Sequence, residues 1–379
     1  MGIARDIIAA WQAIASGVVA KTTQTREKYW HHWSNYASLC QIDPFLPPSV
    51  AALERDIIIT AFASRVRTGA YGRGTQIRVS GVTDALASVS KTIELAGEQS
   101  PIYRADQRYT LPIERMVEGF RREDPPSVPQ LAVPVTVPHY CQALALTTSC
   151  EKEKATGLLA NIGFYFLLRV GEYTKPRFVI RNRKKVRATR TIQFSVENIG
   201  FFKDGKVIPK SSPLHVLLSC DAATLKISNQ KNGRMGDTIH QKSTNKDSCP
   251  IKALALRVFH ILSNGGTEKN LLCDYFNNGN WYSITSGEIT KLVRQSVRDL
   301  QLHTSGIDPD LVGSHSLRAG GAMALKLHKH SDTTIKKMGR WSSLTFLQYI
   351  HSQIAHLSEG ISLDMSIPLP FLNIASIAH

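Results

Sequence analysis

The segment "GSHSLRAGGA", residues 313–322, combines two cationic side chains with a pair of glycines. His315 and Arg318 are three residues apart, so a helix places them on the same face. Gly320 and Gly321 follow, and glycines allow a helix backbone to approach a neighbour closely. A surface pair of cations would explain His315 and Arg318 equally well. The segment therefore predicts a closely packed helix and leaves the role of its two cations open.

A second segment, "GRWSSLTFLQYI" at residues 339–350, lies downstream of this helix. Phe346 and Ile350 are four residues apart, which is the spacing of one helix face. Tyr349 follows Trp341 by eight residues. Considered alone, Tyr349 is more simply explained as a packed aromatic residue than as a reactive one.

Upstream, "FLLRVGEYT" at residues 166–174 places Arg169 at the end of a strongly apolar segment that predicts a helix. A buried guanidinium is costly unless it has an anionic partner. Glu172, three residues further on, is one candidate partner, and an external anion is the other.

A lysine stands beside the strongest hairpin signal in the chain. Asn232 and Gly233 form an Asn-Gly pair between two segments with strand-like alternation. Lys231 precedes this turn, where a lysine is ordinarily solvated. Lys226 and Lys242 lie nearby and are rival candidates for any function assigned to Lys231.

Five prolines interrupt "EDPPSVPQLAVPVTVP", residues 123–138. Proline has no backbone N–H and restricts the residue before it, so this stretch predicts an extended linker and not a helix or an inner strand. We therefore predict a helical domain over residues 1–124, a linker over residues 125–138 and a second domain over residues 139–379.

Helical periodicity dominates the segments before the linker, where an aromatic stripe that includes Trp33 predicts core packing and not base stacking. After the linker, helical segments flank a region of strand-like alternation between residues 191 and 243. The segments predicted as strands are "TIQFSVENIGFF", "LHVLLSC", "TLKISNQ" and "DTIHQKS". The predicted fold class is therefore mainly α with a small antiparallel β-sheet.

The chain has 379 residues, a net charge of +16 and a pI of about 9.6, which favours a polyanionic partner. Residues 1–138 carry 15 Lys or Arg and 13 Asp or Glu, a net of +2, so residues 139–379 carry +14. No apolar run is long enough to predict a membrane span, and no secretory signal is evident. Six scattered cysteines without a CxxC pair predict free thiols and no metal site.

Taken in chain order, the candidate residues resemble the catalytic set of the tyrosine recombinases, the phage-integrase family. The set comprises Arg169, Lys231, His315, Arg318, Trp341 and Tyr349. The stretches that match are "LLRVGEYT", "SNQKNGRMG", "HSLRAGGA" and "GRWSSLTFLQYI", and "TREKYWHHWSNY" resembles the helical core-binding domain of the family. The wording "GRWSS" is closest to the eukaryotic Crypton-like and DIRS-like transposon recombinases. Many bacterial members have histidine in place of Trp341, with nine residues and not eight to the tyrosine.

This resemblance implies a helical core-binding domain and a mixed α/β catalytic domain that clamp DNA between them. It implies that Tyr349 attacks a phosphodiester to form a 3′-phosphotyrosine, with His315 as proton acceptor and Lys231 as the acid for the leaving 5′-oxygen. Arg169 and Arg318 would bind the non-bridging oxygens. Trp341 would donate a hydrogen bond or support the tyrosine helix by packing. No cofactor and no metal ion are expected.

The partners implied are double-stranded DNA and further copies of the chain, as a homo-tetramer on two DNA sites. A nuclear location is implied if the source is eukaryotic, and a cytoplasmic or nucleoid one otherwise. Three alternatives stay open: a type IB topoisomerase, which usually has lysine in place of His315, a catalytically silent DNA-binding protein, and an RNA-binding or architectural protein. "RNRKKVR", residues 181–187, is interpreted as a nuclear-localisation patch, a phosphate contact or a solvated loop.

Overall fold

The computed structural model describes residues 17–72, 74–126, 130–181, 183–229 and 236–344, with Asp6, Ala9, Ala10 and Leu347 besides. The chain divides into two units. The first comprises Met1–Ser127 and Arg177–Thr189, and the second comprises Val128–Pro176 and Arg190–His379. Helices and small antiparallel sheets make up the regular structure of the described residues, which confirms the predicted fold class.

Among the described residues, four helices form the body of the first unit. They are α1 (Ala20–Leu39), α2 (Ala52–Arg67), α3 (Val79–Leu95) and α4 (Leu111–Glu123). Their buried faces share one core, in which Trp33 packs edge-on against Phe62. The indole Nε1 of Trp33 donates to the carbonyl oxygen of Pro44 at 2.7 Å. Trp33 is therefore a core residue with its polar atom satisfied, as its helical spacing predicted.

A hairpin from the middle of the chain completes this unit. Strands β1 (Phe178–Arg181) and β2 (Lys184–Arg187) pair antiparallel, and the amide of Lys21 in α1 donates to the carbonyl oxygen of Ala188 at 3.3 Å. Residues 177–189 carry six Lys or Arg and no acidic residue, whereas residues 128–138 carry no charge. Counted by structural unit, the net charge is therefore +8 in the first unit and +8 in the second, and not +2 and +14.

In the described part of the second unit, most of the structure is formed by six longer helices and one short one. They are α5 (Thr136–Thr147), α6 (Glu151–Tyr165), α7 (Leu214–Leu218), α8 (Pro250–Ser263), α9 (Ser286–Asp299), α10 (Ser314–Leu327) and α11 (Asp332–Gly339). Helix α6 lies at the centre, because every residue from 155 to 164 is buried. Thr285 caps α9 by accepting a hydrogen bond from the amide of Glu288, whose carboxylate bonds back to the Thr285 amide.

Two antiparallel sheets occur among the described residues of the second unit. Strands β3 (Ile199–Lys203), β4 (Lys206–Ile208), β5 (Ala222–Lys226) and β6 (Thr238–Lys242) form a sheet in the order β4-β3-β5-β6. Strands β7 (Asp274–Asn277) and β8 (Asn280–Ser283) form a separate hairpin. The predicted strands at "TLKISNQ" and "DTIHQKS" are confirmed as the antiparallel pair β5 and β6.

Three local predictions were wrong. The segment "LHVLLSC" forms helix α7 and not a strand, because Pro213 precedes the segment and sets a helix start from which Leu217 reaches the core. Helix α5 begins at Thr136, inside the predicted linker, since Pro138 lies in the first turn, where its missing N–H has no helical acceptor to lose. Helix α6 ends at Tyr165, before Arg169 is reached.

No helix among the described residues is long and apolar enough to cross a membrane. All six cysteines are free, with Cys40 and Cys150 exposed and the other four buried.

Candidate active site

The chain turns sharply where α6 ends, and this turn is the base of the candidate site. Leu167 adopts a left-handed conformation with φ of 48°, which stops the helix and redirects the backbone. Arg169 is extended and precedes a single 3₁₀ turn, Val170–Glu172. The Glu172 carboxylate folds back and accepts a hydrogen bond from the Arg169 amide at 2.8 Å. Arg169 therefore stands on a braced turn and not at a helix end.

Two arginines from distant parts of the chain, Arg318 and Arg340, reach this turn and join Arg169, which belongs to it. Glu172 Oε1 lies 3.2 Å from Arg169 Nη1, and Glu172 Oε2 lies 2.7 Å from Arg340 Nη2. The carbonyl oxygen of Leu167 accepts a hydrogen bond from Arg318 Nη1 at 2.6 Å across 151 residues of sequence. Arg318 Nη2 donates to the carbonyl oxygen of Gly339. One buried carboxylate is thus shared by two arginines, with a third beside it, and the site is strongly cationic.

An aromatic ring packs on one of these arginines. The guanidinium carbon of Arg318 lies 4.4 Å from the centroid of the Trp341 ring, which is a cation–π arrangement. A Cβ atom on Gly339 would lie 1.6 Å from the same ring, so only glycine fits there. The glycine of "GRW" therefore makes room for the tryptophan that packs on Arg318. Among the described residues Trp341 packs on Arg318, whereas its predicted support of the tyrosine helix involves Tyr349, which lies outside them.

The glycine pair of α10 holds Arg318 against the turn. A Cβ atom on Gly320 would lie 2.0 Å from the carbonyl oxygen of Val133. One on Gly321 would lie 2.4 Å from Leu167 Cδ2 and 2.5 Å from the carbonyl oxygen of Phe164. Helix α10 therefore packs backbone to backbone against the end of α6, as the glycines predicted. This close approach brings Arg318 within reach of the Leu167 carbonyl.

His315 and Arg318 differ in environment although they belong to one helix. Arg318 is 3% exposed, whereas His315 lies in the first turn of α10 with an exposed side chain. Helix α10 thus carries a buried guanidinium at Arg318 and, about one turn closer to its N-terminus, an exposed imidazole at His315.

Two of the six predicted residues, Lys231 and Tyr349, lie outside the described residues. The rival lysines lie within them. Lys226 and Lys242 are exposed residues at the ends of β5 and β6. Both belong to paired strands, whereas Lys231 lies between them in the sequence, in the segment that connects β5 to β6.

A cleft of about 830 Å³ opens beside the site. Its walls are β6, α11 and the segment that follows α11. The cations on its walls are Lys242, Lys336, Lys337 and Arg340, and the acidic residue among its lining residues is Asp237. Such a surface favours an anionic occupant.

Sequence reasoning missed Arg340. This residue ends α11 in a left-handed conformation with φ of 56° and is 5% exposed. Burial lowers the pKa of its guanidinium, while the carboxylate of Glu172 opposes that shift. Its Nε and Nη1 atoms are buried and have no hydrogen-bond partner among the described residues. The only signal in the sequence was an arginine at a helix C-terminus, where cations are common, so it did not stand out.

No group of three or more His, Cys, Asp or Glu residues with the geometry of a metal site occurs in the part of the chain that the structure describes.

No protein-family model and no curated protein matches the chain. Among solved structures, the chain is similar to the XerH site-specific recombinase bound to palindromic difH substrate, with a TM-score of 0.46 and 14% identity over 82% of this chain and 72% of that one. It is also similar to the Tn1549 transposon integrase in complex with circular intermediate DNA, with a TM-score of 0.42 and 11% identity over 82% and 85% of the two chains. A third similar structure is the XerA recombinase, with a TM-score of 0.37 and 12% identity over 92% and 100%. By their names, these structural neighbours are two recombinases and a transposon integrase.

Proposed function

We propose that this protein is a tyrosine-type site-specific DNA recombinase, which cuts and rejoins double-stranded DNA through a 3′-phosphotyrosine and so integrates or excises a mobile element. One observation carries the proposal. Arg169 and Arg318, from distant parts of the chain, meet at the turn between Leu167 and Glu172. Trp341 stacks on Arg318 at the same place.

The arginines suit the chemistry of phosphodiester cleavage. In the transition state, negative charge grows on the non-bridging oxygens, and fixed guanidinium groups stabilise that charge without reorganisation. Arg318 is fixed by two backbone carbonyls and by Trp341. Arg169 is fixed through its backbone and side chain by Glu172, yet 23% of its side chain remains exposed. Arg169 is therefore the most accessible of the three arginines to a DNA phosphate.

The remaining roles are the two proton transfers of the reaction, one from the nucleophile and one to the leaving group. The phenol of a tyrosine ordinarily has a pKa near 10, so a nucleophilic Tyr349 needs a proton acceptor. His315 is assigned to that role, and its side chain is exposed in the first turn of α10. Lys231 is assigned as the acid that protonates the leaving 5′-oxygen. A covalent intermediate conserves the energy of the broken bond, so strand joining needs no nucleotide.

The proposal is tested by covalent trapping. The protein is incubated with a pool of random-sequence duplexes that carry nicks, so that cleavage near a nick releases a short fragment and prevents rejoining. Adducts that survive denaturation are isolated and their DNA is sequenced. Wild-type protein should form adducts at a shared sequence, and Tyr349→Phe should form none while still binding DNA. An adduct with Tyr349→Phe, or none with wild type, would refute the proposal.

A second arm assigns the acid. Lys231→Ala should cleave slowly on ordinary DNA and recover on a substrate with sulfur at the 5′-bridging position, because a thiolate leaves without a proton. Arg318→Ala should not recover, since it lacks a donor to the non-bridging oxygens. Lys226→Ala and Lys242→Ala are matched controls, and recovery of either one in place of Lys231→Ala would move the acid to that lysine.

A tetramer on two DNA sites is part of the same proposal. It separates a recombinase from a type IB topoisomerase, which shares the covalent step. Light scattering of the protein with its selected site should show four chains and two duplexes, whereas one chain on one duplex would favour the topoisomerase.

A further inference from the structure

The hairpin formed by β1 and β2 is the most basic segment of the described structure that the proposed reaction leaves without a role. We name residues 177–189 the basic ribbon. It carries six cations and no acidic residue. The cations are Arg177, Arg181, Arg183, Lys184, Lys185 and Arg187. It belongs to the first unit although it follows Arg169 in the chain.

The basic ribbon is fastened to the first unit at its open end. The amide of Lys21 donates to the carbonyl oxygen of Ala188 at 3.3 Å. The amide of Ala188 in turn donates to the carbonyl oxygen of Arg177 at 2.9 Å. The other end is a two-residue connection between Arg181 and Lys184, which are paired in register. A short connection of this kind sets the strand register and therefore the face on which each side chain lies.

The register gives the basic ribbon two unlike faces. Val179 pairs with Val186, and both are half-buried. On the opposite face Phe178 pairs with Arg187, and Ile180 pairs with Lys185. Side chains alternate along a strand, so these two pairs share one surface.

That second face is exposed and mixes cations with apolar groups. Phe178 is 42% exposed and Ile180 is 67% exposed, and Lys185 and Arg187 are exposed as well. Lys185 Nζ lies 4.8 Å from the centroid of the Phe178 ring, and Arg187 Cζ lies 6.0 Å from it. Large apolar side chains ringed by cations on a surface are suited to a partner that is both anionic and partly apolar.

We propose that this face of the basic ribbon binds duplex DNA, with Lys185 and Arg187 on phosphates and Ile180 and Phe178 against the groove. The inference rests on the proposed function for its choice of substrate. Duplex DNA has the opposite charge, and its grooves expose sugars and thymine methyl groups to apolar contact. The major groove is wide enough to admit a two-stranded ribbon.

A nuclear-transport signal is the competing explanation for the same cations. Such a signal is a peptide segment read by a receptor, and it is most accessible in an unpaired chain. Residues 178–181 and 184–187 are instead paired with one another and fastened to α1. A paired ribbon holds its cations at fixed spacings, as a rigid polyanion such as duplex DNA requires.

The test measures how affinity for DNA depends on salt. Binding to a random-sequence duplex is followed by fluorescence anisotropy over a range of KCl concentrations for the full chain. The variant is Lys185→Gln/Arg187→Gln. The matched control is Lys91→Gln/Arg121→Gln, which removes two cations of the same unit that are already paired with Glu94 and Glu118.

Each lost phosphate contact lowers the slope of log K against log salt by about 0.9, so the ribbon variant should lose about 1.8 from the slope. The control should keep the wild-type slope. Ile180→Ser should weaken binding several-fold and keep the slope, because it removes an apolar contact and no charge. All five substituted side chains are exposed, so circular dichroism should show unchanged folding in every variant.

An unchanged slope in the ribbon variant would overturn the proposal, and if that variant also failed to bind a nuclear import receptor, the cations would be assigned to transport. A slope that falls equally in the control would overturn it too, because the effect would then be one of net charge. The trapping assay separates the two proposals. Adducts with an unchanged slope refute the ribbon alone, whereas a reduced slope without adducts refutes the recombinase alone.

Discussion

Replacing Glu172 by glutamine tests whether one carboxylate holds the arginines together. Glu172 is 1% exposed and accepts hydrogen bonds from the amide and side chain of Arg169 and from the side chain of Arg340. Glutamine has the same shape and keeps one carbonyl oxygen, so Glu172→Gln removes the charge with little change in volume. The substitution leaves the buried guanidinium of Arg340 without its nearest counter-ion.

The expected cost follows from burial. The side chain of Arg340 is 4% exposed, and removing one partner of a buried ion pair costs about 3–5 kcal/mol. Asp237 also attracts Arg340, but more weakly than Glu172 does. The contribution of Arg169 is small, because 23% of that side chain is exposed and solvent screens the pair. Since the glutamine oxygen still accepts one hydrogen bond, we expect a loss of roughly 3 kcal/mol in the free energy of unfolding of the second unit.

Urea unfolding of the full chain, followed by circular dichroism and tryptophan fluorescence, measures this loss. Glu118→Gln is the matched control, because Glu118 pairs with Arg121 on an exposed helix surface and should contribute less than about 1 kcal/mol. The transition of the first unit should not move in Glu172→Gln. A change below about 1 kcal/mol in Glu172→Gln would refute the idea that this carboxylate compensates the buried arginine.

Three further predictions concern pH, packing and metal ions. Burial and the nearby Arg257 lower the pKa of His260 to about 4. The Nε2 atom of His260 accepts a hydrogen bond from the amide of Phe276 at 3.0 Å, and therefore carries no proton. The Nδ1 atom carries the proton of the neutral ring and donates to Glu151 at 3.1 Å. Because the pKa of His260 is lower in the folded state, the neutral ring contributes its whole stabilisation above the unfolded pKa of about 6.5. This contribution should be lost as the pH falls from about 6.5 to 4, by up to about 3 kcal/mol. Urea midpoints of wild type and His260→Gln, measured across this range, test the prediction. Gly339→Ala should lower the thermal midpoint and the yield of covalent adduct together, since its Cβ would overlap the Trp341 ring; an unchanged midpoint would contradict the packing. Adduct formation should persist in excess EDTA, because fixed cations supply the electrostatic stabilisation. Loss of the adduct in EDTA, restored by added magnesium, would indicate a different class of nuclease.

Local patterns predicted several features that the structure confirms. The alternation on both sides of Asn232-Gly233 predicted the antiparallel pair β5 and β6. A second signal of the same kind was overlooked: Asn278 and Gly279 both have positive φ, at 47° and 81°, and connect β7 to β8. The connection between β7 and β8 is a local feature, because the conformation of a two-residue turn depends on its own residues. Pattern reasoning could have found the second hairpin as readily as the first.

Pattern reasoning failed where packing overrides local preference. The apolar run around Leu217 suits a strand and a helix equally well, and a short run does not distinguish them. The preceding proline and the core contact of Leu217 favour a helix there. The end of α6 was misplaced for a similar reason, because the left-handed Leu167 that ends it has no sequence signature.

The sequence by itself determined the helical character of both parts of the chain, the core position of Trp33, the tight contact at Gly320 and Gly321, and the residue types of the candidate set. These properties depend on periodicity, on side-chain volume and on neighbours a few positions apart. Only the tertiary structure decided that the basic ribbon belongs to the first unit, and that Glu172 pairs with Arg340 across 168 residues. Contacts of such separation arise from the packing of whole elements, and no local pattern encodes them.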